Sequence, residues 1–233
     1  MKTSIKLFLL ISILTVSSSL SFAQKKGKPF AGTIKYALTY DGVEASQLAQ
    51  MPTATTTTIS GNKQKVTLDM GQYAVITITD GDDESFVFYI DMMGQKFAYR
   101  LNKEAIAKEK ENDKAAKPTV TKSEETKEIA GFKCKKATSV TKNEETGDET
   151  STIVWYTEEI VVGDKFDFMG ENEGIKGVTL GTESTSGKMV RKSYATEVKK
   201  EKVKDTDFLI PADAKEMTKE EFMKMLGGGG GEE

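Results

Sequence analysis

From residue 31 onward, apolar and polar positions alternate along most of the chain. In GTIKYALTY, Ile34, Tyr36, Leu38 and Tyr40 occupy every second position, and Thr33, Lys35, Ala37 and Thr39 fill the gaps. A period of two puts each set on its own face, which predicts a half-buried strand. The pattern returns at Val66, Leu68 and Met70, at Ile76 and Ile78, at Phe86, Phe88 and Ile90, and at Phe97, Tyr99 and Leu101. Turn residues separate these runs: Gly61-Asn62, Gly71-Gln72, Asp80-Gly81-Asp82-Asp83 and Gly94-Gln95. Such spacings are too short for a parallel crossover, so the first half reads as an antiparallel meander. The threonines between Thr53 and Thr58 fit the same scheme as a β-branched strand.

Residues 102–128, rich in Lys, Glu and Ala, break the rhythm, and an exposed helical turn followed by a mobile loop is expected there. Alternation then resumes with Phe132, Cys134, Thr138 and Val140 on one face, and with Ile153, Trp155 and Thr157 after the turn NEETGDET. Two further strands are expected in GIKGVTLGTES and KMVRKSYATEV, joined at Ser186-Gly187. Near the end, Thr218 and Glu221 have the spacing of a capping box, which marks a helix start. Phe222, Met223 and Leu226 on one side of that helix predict that it lies on the sheet. The glycines at 227–231 end it, and 227–233 is expected to be a flexible tail. The outline is a single mainly β domain over residues 24–226, with two meanders and a C-terminal helix.

The first residues alter the setting. Lys2 and Lys6, the apolar LFLLISILTV and the small residues ending at Ala23 have the form of a secretory signal peptide spanning 1–23. Its apolar core of roughly 10 residues is about half of what a membrane-crossing helix needs, and no later stretch is longer. The mature chain is therefore expected to be periplasmic or secreted, without a transmembrane helix. Losing the two lysines leaves 31 basic against 36 acidic side chains, a net of −5. That balance argues against nucleic acid, whose binding needs clustered cations.

Composition removes further chemistry. The chain has no histidine and one cysteine. Histidine-dependent triads, histidine-ligated zinc, thiolate clusters and an internal disulfide are thereby excluded, and no cofactor is indicated. Cys134 shares its face with Phe132 and Val140, so it reads as a small packing residue, unless Lys133, Lys135 and Lys136 activate an exposed thiol. The acidic run at 80–84 lacks the glycine and the closing glutamate of a calcium loop and reads as a solvated turn. Asp164, Asp167, Glu171 and Glu173 form a looser acidic group, explained more simply by loop solubility than by a bound cation. No pair of carboxylates stands out as a hydrolytic site, and the chain is not expected to be an enzyme. The aromatic residues Phe86, Phe88, Phe97, Tyr99 and Trp155, with Phe222 of the terminal helix, have two readings: ordinary core, or the lining of an apolar cleft on a partly filled curved sheet.

Three segments, "KEIAGFKCKKATSV", "STIVWYTEEI" and "FLIPADAKEMTKEEFMKM", resemble the DUF4412 family of exported bacterial proteins. The middle of the chain is also similar to the GLPGLI family, common in Bacteroidetes, although Gly174-Ile175-Lys176-Gly177-Val178 lacks that family's proline. The resemblance implies a fold like the LolA and LolB lipoprotein carriers: an open antiparallel half-barrel with short helices across its mouth. It implies no catalytic residue, and it makes Cys134 a strand position of the family pattern. The expectation is an exported envelope protein that binds a lipid-like or amphipathic ligand. The alternative is a scaffold module binding an envelope protein partner.

Overall fold

The computed structural model describes residues 27–92, 94–112, 118–142, 149–169 and 174–226. The expected signal peptide, the glycine tail and the residues Glu171 and Glu173 lie outside the described residues. The first meander comprises β1 (Ala31–Asp41), β2 (Ala54–Ser60), β3 (Lys63–Asp69), β4 (Tyr73–Asp80), β5 (Ser85–Met92) and β6 (Gln95–Leu101), with a short helix α1 (Ala45–Leu48) after β1. Then come α2 (Lys103–Asn112), β7 (Thr119–Ile129), β8 (Phe132–Lys142), β9 (Glu149–Thr157), β10 (Val178–Ser186) and β11 (Met189–Lys200). A 3-10 turn at Asp205–Phe208, a two-residue β12 (Lys215–Glu216) and α3 (Lys219–Met225) complete the chain.

All the strands belong to one open sheet, ordered β12-β6-β5-β4-β3-β2-β1-β11-β10-β9-β8-β7. β1 stands in the middle, with the first meander spreading to one side and the second returning to its other side through β11. Among the described residues every pairing is antiparallel except β12 with β6. The protein is thus a mainly β, open half-barrel with a few short helices, as the alternation and the resemblance led us to expect.

One expectation is corrected. Residues 119–129 are not a loop but the edge strand β7, paired from Thr119 opposite Val140 to Ile129 opposite Phe132, with an irregularity between Ser123 and Thr126. Its side chains from Thr121 to Glu128 are all exposed, so neither face carries an apolar signature. Lysines and glutamates along an edge, together with a bulge, also discourage other strands from adding to it. The turn into β8 is similarly hidden: Ala130 and Gly131 both have positive φ, 50° and 81°. A two-residue hairpin requires that conformation, and alanine does not advertise it.

Two cores hold the sheet. The first gathers Ile34, Cys134, Trp155, Val178 and Leu180 where β1 meets the second meander, with Phe30 sealing one end. The second lies on the outer face of the first meander, where Ile76, Ile78, Val87, Tyr89 and Ala98 pack against Phe208 and the segment from Val203 to Ala214. β5 therefore meets apolar surroundings on both sides, fully covered outside and partly covered inside, which accounts for its unbroken apolar run FVFYI. The covering segment is pinned by the Lys65 ammonium, which donates to the Asp207 carbonyl at 2.6 Å, and by Lys96 with Asp213 at 2.8 Å. The chain then rounds the edge of β6 through β12, and α3 arrives on the opposite, inner face.

The capping box at Thr218 and Glu221 forms as its spacing predicts, with Glu221 N–H donating to Thr218 Oγ1 at 3.2 Å and Thr218 N–H to Glu221 Oε2 at 2.9 Å. The apolar side of α3 is corrected: Phe222 is 1% exposed, but Met223 and Leu226 are each 45% exposed. Only one side chain of α3 is buried against the sheet.

Candidate functional site

The inner face of the first meander is read across its registers. Thr57 is opposite Val66, Val66 opposite Thr77, Thr77 opposite Phe88, and Phe88 opposite Tyr99. One rung along, Thr55, Leu68, Val75, Ile90 and Phe97 follow in the same order. This face is uncharged and largely apolar. Nevertheless Val66, Leu68, Val75, Phe88, Phe97 and Tyr99 are only half-buried.

At its β5–β6 end the rings converge. Phe88 stacks on Tyr99 with centroids 5.6 Å apart and planes 8° from parallel. Phe86 tilts against Tyr99 at 6.2 Å, and Phe222 meets Phe88 and Tyr99 edge-on at 5.4 and 5.0 Å. Edge-to-face and offset stacking are the favoured geometries for aromatic pairs. Two helices cover this platform. α2 contributes the buried Ile106, and Asn102 caps its start by accepting from Ala105 N–H at 2.9 Å. α3 contributes Phe222, and Lys219 of α3 ion-pairs with Glu109 of α2. Burial raises the Tyr99 hydroxyl above its ordinary pKa, with Lys219 opposing and Glu109 adding to the effect.

Of the six aromatic residues singled out in the sequence, four thus form one cluster: Phe86, Phe88, Tyr99 and Phe222. Phe97 shares their face by register. Trp155 does not join them; it is 5% exposed in the first core beside Cys134 and Leu180. Alternation reveals which positions share a face of one strand, but not which side of the molecule that strand joins.

Around Trp155 the second meander is filled. The Lys127 ammonium lies 4.2 Å from the centre of the Tyr194 ring and 5.5 Å from that of Trp155, and Lys136 approaches the indole at 5.6 Å. Cations over aromatic faces are attracted by the ring quadrupole. The Tyr194 hydroxyl donates to Glu183, and burial together with that carboxylate raises its pKa. The buried Trp155 N–H offsets this slightly without reaching hydrogen-bond geometry. A Cβ at Gly181 would stand 2.8 Å from Tyr194 ring carbons, so only glycine lets that ring lie on the backbone.

Cys134 is fully buried, with its thiol 3.6 Å from the Phe132 carbonyl. Burial, reinforced by Glu159 and opposed by the Ile129 backbone, pushes its pKa up to about 11. Lys135 and Lys136 instead pair with Glu158 at 3.3 Å and Glu125 at 2.7 Å. The residue packs as a small apolar side chain.

The acidic run at 80–84 is a self-bonded turn: Asp80 Oδ1 accepts from the amides of Asp82 at 2.9 Å and Asp83 at 3.4 Å, and Asp80 pairs with Lys63 at 3.2 Å. Asp164 and Asp167 are engaged in interactions of their own. Among the described residues no group of three or more potential ligands is placed to hold a metal ion. A separate polar cleft of about 730 Å³, which no sequence pattern indicated, opens beside β7, β8 and β9 between Lys122, Lys133, Lys135, Glu124, Glu158 and Glu159. It exists because β7 is a strand.

No protein-family model matches the chain, and no curated protein matches it. Among solved structures, LprF from Mycobacterium bovis is similar with a TM-score of 0.33 at 9% identity, over 79% of this chain and 90% of that one. A β-barrel-like protein of domain of unknown function DUF1849 from Brucella abortus is similar with a TM-score of 0.30 at 11% identity, over 75% of this chain and 99% of that one. At such scores neither likeness bears on what the protein does. No helix among the described residues is long and apolar enough to cross a membrane.

Proposed function

We propose that the protein is an exported envelope protein of the DUF4412 type that binds an apolar or amphipathic, lipid-like molecule on the inner face of β2–β6. The observation that carries this reading is the incomplete cover of that face. Apart from the buried Ile90, its apolar side chains from Val66 to Tyr99 stay half-buried, and the buried side chains that α2 and α3 place over them are Ile106 and Phe222. Sites for small molecules are commonly concave and apolar with few polar groups, and this face carries threonine hydroxyls and no charge. Native mass spectrometry of protein purified from the periplasm of a Gram-negative host tests it: the expected result is an added lipid mass, together with uptake of the neutral fluorescent probe N-phenyl-1-naphthylamine. A ligand-free mass with no probe uptake overturns it.

A second reading rests on β7, which among the described residues is hydrogen-bonded to β8 alone, so that its other edge stays unpaired even where it approaches β11, and whose lysines and glutamates would admit only a strand of matching charge. A partner protein pairing there by strand addition would make the chain a scaffold module. Recovery of one stoichiometric partner and no lipid in a pull-down favours that reading.

A further inference from the structure

Residues 201–226 cover the two sides of β6 unequally. On the outer face Phe208 is buried with Val203, Ile210 and Ala214 around it, and two lysines pin the segment. On the inner face α3 has seven residues and a single buried side chain, Phe222. A helix of that length does not hold together by itself in water. What keeps it in place is the Thr218 capping box, the exposed Lys219–Glu109 pair and the seat of one ring on Phe88 and Tyr99. Between the fixed segment and this helix lie β12, tied to β6 by its pairing and by Arg100 with Glu216 at 3.9 Å, and the bond from Met217 N–H to the Ala98 carbonyl, 3.0 Å.

We infer that α3 is a displaceable plug: Phe222 occupies, on Phe88 and Tyr99, the place that the apolar part of a ligand takes, and binding moves residues 217–226 aside with β12 as the hinge. The inference rests on the ligand-binding reading above. The edge-on contacts of Phe222 with two rings are those an aromatic or acyl guest can replace. Displacement also sacrifices little else, because Met223, Met225 and Leu226 are already exposed. A site that is closed most of the time binds more weakly by the fraction that is open. Removing the plug therefore strengthens binding, whereas removing a wall weakens it.

The test titrates wild type, Phe222→Ala and Thr218→Ala with N-phenyl-1-naphthylamine and follows amide hydrogen exchange. Phe222→Ala is expected to bind about tenfold more tightly, the gain from freeing a site closed roughly nine-tenths of the time, and Thr218→Ala a few-fold more tightly. Saturating probe should speed exchange at 219–226 in the wild type and leave 203–214 unchanged. Weaker binding by both variants, with exchange in α3 unaffected by probe, overturns the plug while leaving the site standing. No binding by any of the three proteins overturns the site as well. Should Phe222→Ala lose its native circular dichroism, Thr218→Ala and the exchange data decide alone.

Discussion

The two wings of the sheet, on either side of β1, are made from the same kind of alternating strand and reach opposite ends. The β7–β11 wing rolls up until β7 meets β11, and its interior is filled by Trp155, Cys134, Val178 and Leu180, with Lys127 lying across Tyr194. The β2–β6 wing stays open. Its buried core is on the outside, under Phe208, and its inner face is left half-covered. Alternation therefore defines two faces per strand without deciding which is sealed. That decision falls to segments outside the alternating strands that were read from the sequence: β7 closing one wing, and residues 203–214 backing the other.

Truncation breaks the comparison most directly. Leu180→Ala in the filled wing is expected to cost about 2–5 kcal/mol, because a fully buried leucine leaves a cavity, whereas Leu68→Ala on the open face should cost below about 1 kcal/mol. Equal losses in urea unfolding would erase the distinction between wings.

Alkaline pH sharpens it next. Cys134 of the filled wing is raised from 9.0 to about 11, and Tyr89 of the outer core from 10.0 to about 12, mainly by burial. The unfolded chain gives up these protons first, so their contribution to stability is complete below about pH 9 and is lost as pH rises through 11 to 12. The urea midpoint should fall between pH 8 and 10.5, and fall less in Cys134→Ala; an unchanged wild-type midpoint contradicts the burial of these groups.

Loss of the cap in Thr218→Ala should cost about 1 kcal/mol, felt by α3 and scarcely by either wing. Hydrogen exchange resolved by segment separates that outcome from a global loss. The smallest effect is expected at Lys192 and Asp41, an exposed pair at 2.7 Å beside the junction of the wings. A double-mutant cycle should return no more than about 0.5 kcal/mol.

What could be read from the sequence followed from how each element is stabilised. Strands with one buried face announced themselves, and so did the Thr218 box, because both leave a periodic or fixed-offset signature. β7 left none, since Thr121 to Glu128 are exposed on both faces. The backing segment left none either: Phe208 is buried, with Val203 and Ile210 half-buried beside it, from irregular chain where no period exists to detect. Val87 and Tyr89 were visible as apolar residues, but their role as a second core depended on that unseen cover. The same gap explains Trp155, placed on a strand of the second meander yet grouped with aromatic residues that converge on the other wing. The aromatic cluster was largely legible, since Phe86, Phe88 and Tyr99 lie on consecutive strands of one hairpin.

The backing segment is also synthesised after all the strands of both meanders. Until residue 214 has emerged, Ile76, Ile78, Val87 and Tyr89 face water, and until β12 docks, β6 is a bare edge. Hairpins β2–β6 can zip early because their partners are near in sequence, yet they form a sticky, one-sided intermediate. A polypeptide stopped near residue 200 is consequently an aggregating species rather than a smaller working protein, and holdase chaperones should engage nascent chains of that length most strongly.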